Sequence, residues 1–190
     1  MKAALVPLSA WFALSAWAQQ PFLETDSLAP YVPTPQAVVE RMLEAAHLRP
    51  GETVYDLGCG DGRVVITAAQ KFKAKAVGIE IKDFLVRSTN RKVQALGLTD
   101  SVQIVHGNAL NADLSKADVV TMYLLTRSND LLRPNFEKWL KPGARVVSYE
   151  YPVRGWEPVR TEVVEIQKIA HTIYVYEIPR SVPKGTKPAK

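Results

Sequence analysis

The sequence predicts an α/β fold, a mostly parallel twisted sheet covered by helices on both faces and finished by a C-terminal antiparallel hairpin. Between residues 53 and 149, short apolar runs rich in β-branched residues alternate with segments of helical periodicity. Near-continuous apolar strands of this kind belong to parallel sheets buried on both sides. The first strand runs straight into Gly58-Cys59-Gly60-Asp61-Gly62 and then a helix. Glycines allow close backbone approach, and the helix start offers free N–H groups to an anion. Beyond Tyr149 the alternation stops. Segments 162–168 and 172–178 are separated by residues 169–171 alone, too short a link for a helix, so the two must pair antiparallel. A chain of 190 residues, 47% hydrophobic and 23% charged, supports one such domain and leaves little for a second.

The elements follow in order. Met1-Lys2 begins a largely apolar run that closes on Ala16-Trp17-Ala18 before Gln19-Gln20. A basic start, a short apolar region and an A-x-A site are the anatomy of a signal peptide over residues 1–18, which implies export to the periplasm or secretion. An uncleaved anchor on a cytoplasmic or membrane-associated chain is the alternative. Residues 19–29 read as a loose segment. Pro30, Pro33 and Pro35 hold Tyr31, Val32 and Thr34 extended, as a strap that favours neither helix nor ladder bonds and can act as a lid. Thr34 as N-cap with Pro35 at the first helical position opens a helix. Its apolar face, Val38, Val39, Met42, Leu43 and Ala46, ends before Arg49-Pro50-Gly51. Strands are then expected at 53–57, 76–81, 102–106, 119–124 and 145–149, and helices at 62–72, 83–95 and 129–140, from the period of their apolar positions. The folded domain is thus expected over 30–178. Residues 179–190, rich in proline and lysine with no acid, read as a disordered basic tail.

Composition narrows the chemistry. The single cysteine, Cys59, excludes a disulfide within the chain and a multi-cysteine zinc site, and His47, His106 and His171 lie too far apart for a metal-binding spacing. No metal is expected, and the histidines read as structural or surface residues. Lys2 and the four tail cations account for the net charge of +5. The folded body is therefore formally neutral and lacks the clustered positive charge that a nucleic-acid groove needs. No nucleic-acid partner is expected, and the protein reads as a monomer.

In open parallel sheets, ligands lie beyond the carboxyl ends of the strands, so the residues after each strand are the candidate site. Gly58, Gly60 and Gly62 alternate, unlike the G-x-G-x-x-G of a dinucleotide clamp, and no Lys-Ser/Thr follows as in a P-loop. Glu80 ends the second strand 18 residues after Gly62, where a carboxylate can accept both ribose hydroxyls of a nucleoside. Gly107-Asn108-Ala109 follows the third strand, placed to meet an adenine edge. Together these parts resemble the S-adenosylmethionine (SAM) site of the class I, Rossmann-like methyltransferases. The resemblance implies that Asp56 and the Gly58 backbone hold the methionine amino group. It implies that the amides from Gly60 through Gly62 to Arg63 face the methionine carboxylate, that Glu80 takes the ribose, and that Asn108 with Ala109 borders adenine. Cys59 and Ile81 complete the implied cofactor set. Asn108 stands where many members have Asp, and its amide oxygen can still accept the adenine amino hydrogen.

The fourth strand leads into Thr121-Met122-Tyr123-Leu124-Leu125-Thr126. The Asn/Asp-Pro-Pro-Tyr sequence of base and glutamine amino-methylases is absent, which counts against those acceptors. More narrowly, Pro30-Tyr31-Val32-Pro33-Thr34-Pro35, the glycine turn, Ser148-Tyr149-Glu150 and His171-Thr172-Ile173-Tyr174 make the chain resemble the archaeal broad-specificity protein-lysine methyltransferases and the mitochondrial enzymes that methylate a lysine of the ATP synthase c-subunit. That resemblance implies methyl transfer to a lysine amine by in-line displacement without metal, with an exposed lysine of a protein as partner. A lysine ammonium, pKa about 10.4, must first lose a proton, which a narrow aromatic, partly dry channel encourages. Tyr123 is expected to face the methyl group, Tyr31 to close over it, and Glu150 to orient the ammonium. Trp139 and Trp156 read as packing anchors, and His171 as a framework residue ahead of the last strand. Two alternatives stay open: a small-molecule methyltransferase, which should carry helical inserts over its substrate, and a SAM-binding module without turnover, which the export signal favours because SAM is made in the cytosol.

Overall fold

A computed structural model describes residues 27–183. The expected signal peptide at 1–18, and residues 184–190 of the expected tail, lie outside the described residues. The elements are α1 (Gln36–Ala45), β1 (Thr53–Leu57), α2 (Arg63–Phe72), β2 (Lys75–Glu80), α3 (Asp83–Ala95), β3 (Val102–His106), β4 (Val119–Met122), α4 (Thr126–Trp139), β5 (Arg145–Tyr149), β6 (Arg160–Ile166) and β7 (Ile169–Glu177). Among the described residues the strands form one seven-stranded sheet, ordered β3-β2-β1-β4-β5-β7-β6. The first five strands are parallel, and β7 inserts antiparallel between β5 and β6. Strand order reverses between β1 and β4, which is where such a sheet opens a cleft.

Alternate strand residues feed two cores, because successive side chains point to opposite faces. Val54, Val119 and Val147 pack with Val38, Val39 and Met42 of α1 and with Val65 and Ala68 of α2. Leu57, Val120 and Val146 pack with Leu132 and Phe136 of α4 and with Trp156. Burial on both faces explains why these strands are almost entirely apolar. Their buried polar exceptions, Asp56, Glu80, Thr121 and Ser148, gather toward the carboxyl ends.

The structure moves several expected boundaries. Helix α1 starts at Gln36 with Pro35 as N-cap, and Thr34 makes no capping bond; Thr34 is instead buried, and its carbonyl accepts from Arg63. Strand β4 stops at Met122 and α4 starts at Thr126, three residues earlier than its periodicity suggests. The early start is held by Ser128, which donates to the Leu28 carbonyl, and by Asn129, which donates to the Tyr151 carbonyl at 2.9 Å. The hairpin is tighter than expected, since Gln167 and Lys168 alone join β6 to β7, at φ +53 and +66. A two-residue hairpin requires this positive-φ pair, but neither residue is glycine, so the sequence carries no sign of it. His171 consequently lies within β7, opposite Val164.

Two further readings are corrected by packing. Ordered chain continues past residue 178 into the expected tail: Ser181 is buried, its Oγ accepts from the Glu177 amide at 3.0 Å, and its carbonyl accepts from the Glu157 amide at 3.1 Å. Trp156 is buried as an anchor, whereas Trp139 is 38% exposed, with the Lys138 ammonium 4.6 Å from its ring centre.

The glycine turn sets the seating of α2 against α3. A Cβ at Gly62, φ +77, would lie 2.4 Å from Thr89 Cγ2. Thr89 cannot yield, because it is buried and its Oγ1 donates to the Gly60 carbonyl at 2.9 Å. Gly62→Ala should therefore lose about 2–4 kcal/mol in urea unfolding. Gly97→Ala, also at positive φ but with nothing within 4 Å of the new Cβ, should lose only about 1 kcal/mol. Equal unfolding midpoints for the two variants would contradict this account.

Candidate active site

The ends of β1, β2, β3 and β4 open on one cleft with about 840 Å³ of empty space, its mouth included. Asp56, Gly58, Cys59, Gly60, Arg63, Glu80, Ile81, Asn108 and Ala109 all border it, as do Tyr31 and Tyr123. Two expected residues do not. Gly62 lies buried as the N-cap of α2, and Glu150 is connected to the cleft through Tyr149 and Tyr123.

The floor of the cleft is made of backbone. Gly58 and Cys59 amides both donate to the Ile79 carbonyl, at 2.8 and 3.0 Å, and the Gly62 amide donates to the Cys59 carbonyl at 2.9 Å. The Gly60 amide donates to Glu80 Oε2 at 2.9 Å, and the Lys82 amide to Glu80 Oε1 at 2.8 Å. The Gly60 amide, which the resemblance assigns to a ligand carboxylate, is thus turned toward Glu80. Each Glu80 oxygen accepts one amide and has capacity for a further donor. Cys59 packs against β2, its Sγ 2.6 Å from where a Cβ on Gly78 would stand. Burial pushes its thiol well up, so it is a small space-filler and no nucleophile.

Asp56 is the buried charge of the site. Its Oδ1 accepts from Thr121 Oγ1 at 2.7 Å. Burial pushes its carboxyl up to about 7, opposed by the Thr121 hydrogen bond and reinforced by the charges of Glu80 and Asp61. A buried carboxyl with a hydroxyl for a partner can receive an ammonium. Asn108 caps the single 3-10 turn Ala109–Asn111, its Oδ1 accepting from the Leu110 amide at 2.9 Å; that oxygen can take one more donor.

Over the floor lies the strap. Arg63 grips Asp61 with two bonds, Nε to Oδ1 at 2.9 Å and Nη2 to Oδ2 at 2.7 Å, and donates from Nη1 to the Thr34 carbonyl. Its guanidinium also faces the Tyr31 hydroxyl and holds the Asp61 carboxyl below its ordinary range. The Tyr31 ring then lies so close to the turn that a Cβ at Gly60 would be 2.5 Å from Cε2. Ser27, Leu28 and Ala29, expected to be loose, border the cleft as well. Sequence reading did not single out Asp61 as a strap anchor; the signal was an acid two residues before an arginine within a turn.

Tyr123, on the cleft, is backed by an aromatic cluster that includes the buried Tyr149. Tyr123 stands with its ring centre 4.3 Å from that of Tyr149 and 6.2 Å from that of Tyr151, the latter nearly parallel. Burial raises the phenols of Tyr123 and Tyr149 above their ordinary value, so both are neutral hydrogen-bonding groups across the ordinary pH range. Tyr149 entered the sequence reading only as a strand end and within Ser148-Tyr149-Glu150, and Tyr151 not at all, although their placement on either side of Glu150 was the available sign.

Comparison with known proteins gives this geometry its context. The ANTKMT methyltransferase domain matches residues 56–160. The chain belongs to that family. It is 51% identical over 150 residues to a protein-lysine N-methyltransferase of Saccharolobus islandicus, covering 78% of this chain and 93% of the relative. It is 27% identical over 159 residues to the lysine N-methyltransferase of Mus musculus named for the ATP synthase C-subunit, covering 84% of this chain and 62% of that one. Among solved structures, it is similar to an RNA methyltransferase from Salinibacter ruber in complex with S-adenosyl-L-homocysteine, at 41% identity and a TM-score of 0.75, covering 84% of this chain and all of the other. The fold is that of a class I methyltransferase, and its cofactor is SAM.

The residues of this methyltransferase fit that cofactor on their own geometry. Asp56 offers a buried carboxyl for an ammonium, Glu80 has acceptor capacity left for hydroxyls, and at Gly58, φ +78, and Gly60, φ +53, a side chain would fill the cradle. The protonation of Asp56 then makes a prediction. Folded Asp56 holds its proton up to about pH 7, against 3.8 as an ordinary carboxyl. Its contribution to stability is therefore fully present below about pH 4 and lost as the pH rises through about 7. Melting temperatures of the ligand-free protein should fall over this interval, and Asp56→Asn should flatten the fall. Affinity for S-adenosylhomocysteine by calorimetry should rise through about pH 7, as the carboxylate forms to meet the ligand's ammonium. An unchanged pH profile in Asp56→Asn would refute this assignment.

Proposed function

We propose that this methyltransferase moves the methyl group of SAM to the side-chain amine of a lysine in a protein. The observation that carries this reading is Tyr123 on the cleft, packed against Tyr149 and Tyr151 with the Glu150 charge close behind. An aromatic wall at Tyr123 with a carboxylate behind it suits an aliphatic chain with a cationic tip. The reaction named for the 51% identical archaeal relative supports the same choice. The covering strap leaves the aromatic end free of helical inserts, which favours a side chain presented by a large partner.

SAM supplies a methyl group already activated by its sulfonium, so the chain's own residues must bind, orient and exclude water. Asp56 takes the amino group, Glu80 the ribose hydroxyls, and Asn108 and Ala109 the adenine edge. Arg63 holds the Tyr31 strap down on the turn and keeps water from that end. The acceptor arrives as an ammonium and must release a proton before its nitrogen can attack. Burial against neutral phenols destabilises the charged form and eases that release. Glu150 draws the ammonium in, its released proton passes to solvent at the mouth of the cleft, and the neutral amine donates a remaining N–H to the Tyr123 hydroxyl oxygen, which leaves the lone pair free to align.

Incubation of the full chain with labelled SAM, a panel of protein acceptors and, separately, total RNA tests this reading. The label should map by mass spectrometry to lysine side chains, and Tyr123→Phe should lower kcat/KM by about tenfold, the value of one hydrogen bond to a charged group. Label in RNA with none in protein would overturn it.

A further inference from the structure

His171 contacts Tyr149, which in turn packs on Tyr123 at the edge of the cleft. The His171 Nδ1 lies 2.6 Å from Tyr149 Oη and 3.2 Å from Glu150 Oε1, and the His171 and Tyr149 ring centres are 5.7 Å apart. The other Glu150 oxygen accepts from the Thr172 amide at 3.5 Å, and the Glu150 amide donates to the Thr172 carbonyl at 2.8 Å. Glu150 itself is at φ +62, a left-handed conformation that costs a residue with a Cβ about 1 kcal/mol. The surrounding bonds therefore hold this carboxylate in a place the free chain would avoid.

One proton arrangement makes every contact attractive. A carboxylate only accepts, so the Glu150 contact requires a hydrogen on His171 Nδ1. That hydrogen is shared with Tyr149 Oη, and the Tyr149 hydroxyl, also within reach of Glu150, turns its own hydrogen to the carboxylate. Glu150 is then fixed by His171, Tyr149 and Thr172 together. Few other charges compete for His171. Its register partner on β6 is Val164, and the nearest charged residue on that face of the strand, Glu162, is held by Arg41 at 2.6 Å and Arg160 at 3.3 Å. The Glu150 charge reaches the Tyr123 hydroxyl, which borders the cleft.

We infer that His171 is a positioning residue for the acceptor amine, its Nδ1–H and the Tyr149 hydroxyl fixing the Glu150 carboxylate behind Tyr123, which borders the cleft where the ammonium enters. This rests on the lysine reading above. It separates the work of the two ends of the cleft: loss of His171 weakens acceptor capture and leaves cofactor binding alone.

Two substitutions at one position test it. His171→Leu removes the donor, and His171→Asn keeps an N–H near the place of Nδ1. With a lysine-bearing acceptor that the wild type methylates, His171→Leu should raise the acceptor KM about tenfold. Its kcat and its affinity for S-adenosylhomocysteine should stay within about twofold, and His171→Asn should recover most of the KM. An unchanged KM in His171→Leu, a loss confined to kcat or cofactor affinity, or no recovery in His171→Asn would each overturn the proposal while the lysine reading stands. If His171→Leu fails to fold by circular dichroism, Glu150→Gln must raise the acceptor KM and His171→Asn must not, or the proposal is wrong. A wild-type protein that labels no lysine overturns both readings together.

Discussion

Gly60 is used from three sides at once. Its amide donates to Glu80 of β2, its carbonyl accepts from Thr89 of α3, and its bare α-carbon lies under the Tyr31 ring of the strap. Strand, helix and lid thus meet on one residue that has no side chain, and each bond is buried, where an unpaired group costs more than the bond itself returns. The turn also leaves Asp56 with the Thr121 hydroxyl for a partner. A chain that folds this way has made a cradle for a ligand before any ligand is present.

Charge is distributed in that cradle so that one acid is left for a cation. Asp61 is matched by Arg63, and each Glu80 oxygen accepts one backbone amide and keeps room for a neutral donor. Asp56 is left to a cation from outside. The same arginine that satisfies Asp61 ties down Thr34 and Tyr31, so lid position and local charge balance are one interaction. A ligand with an ammonium is favoured at this end, and an anion alone would meet carboxylates.

The acceptor end is built on a different principle. Strand β4 stops at Met122 because α4 is pinned early by Ser128 and Asn129, and Tyr123 is left outside the ladder to meet Tyr149 and Tyr151. Aromatic packing behind Tyr123 supplies shape without net charge, while the Glu150 carboxylate is held by His171 and a left-handed backbone. Polar backbone forms the floor of the cradle, and aromatic side chains pack behind Tyr123.

Much of this was legible in the sequence because it depends on neighbours along the chain. The apolar period placed β1, β3, β5 and α3 as they are observed, and glycine spacing with acids at strand ends located Asp56, Glu80 and Asn108 on the cleft. These signals are local: a strand's burial and a glycine's φ leave their mark on the residues themselves. What required the tertiary structure were contacts between segments far apart in sequence. Arg63 reaching Thr34, Tyr149 and Tyr151 flanking Tyr123, and the bonds of His171 to Tyr149 and Glu150 have no periodic trace. The Gln167-Lys168 turn carries none either, since positive φ without glycine is imposed by the twist of the strands it joins. By itself the sequence determined that a cradle of this kind lies after β1. Only packing decided which side chains close it and which hold the acceptor, because those positions are set by the sheet order and the start of α4, and no single stretch of chain encodes either.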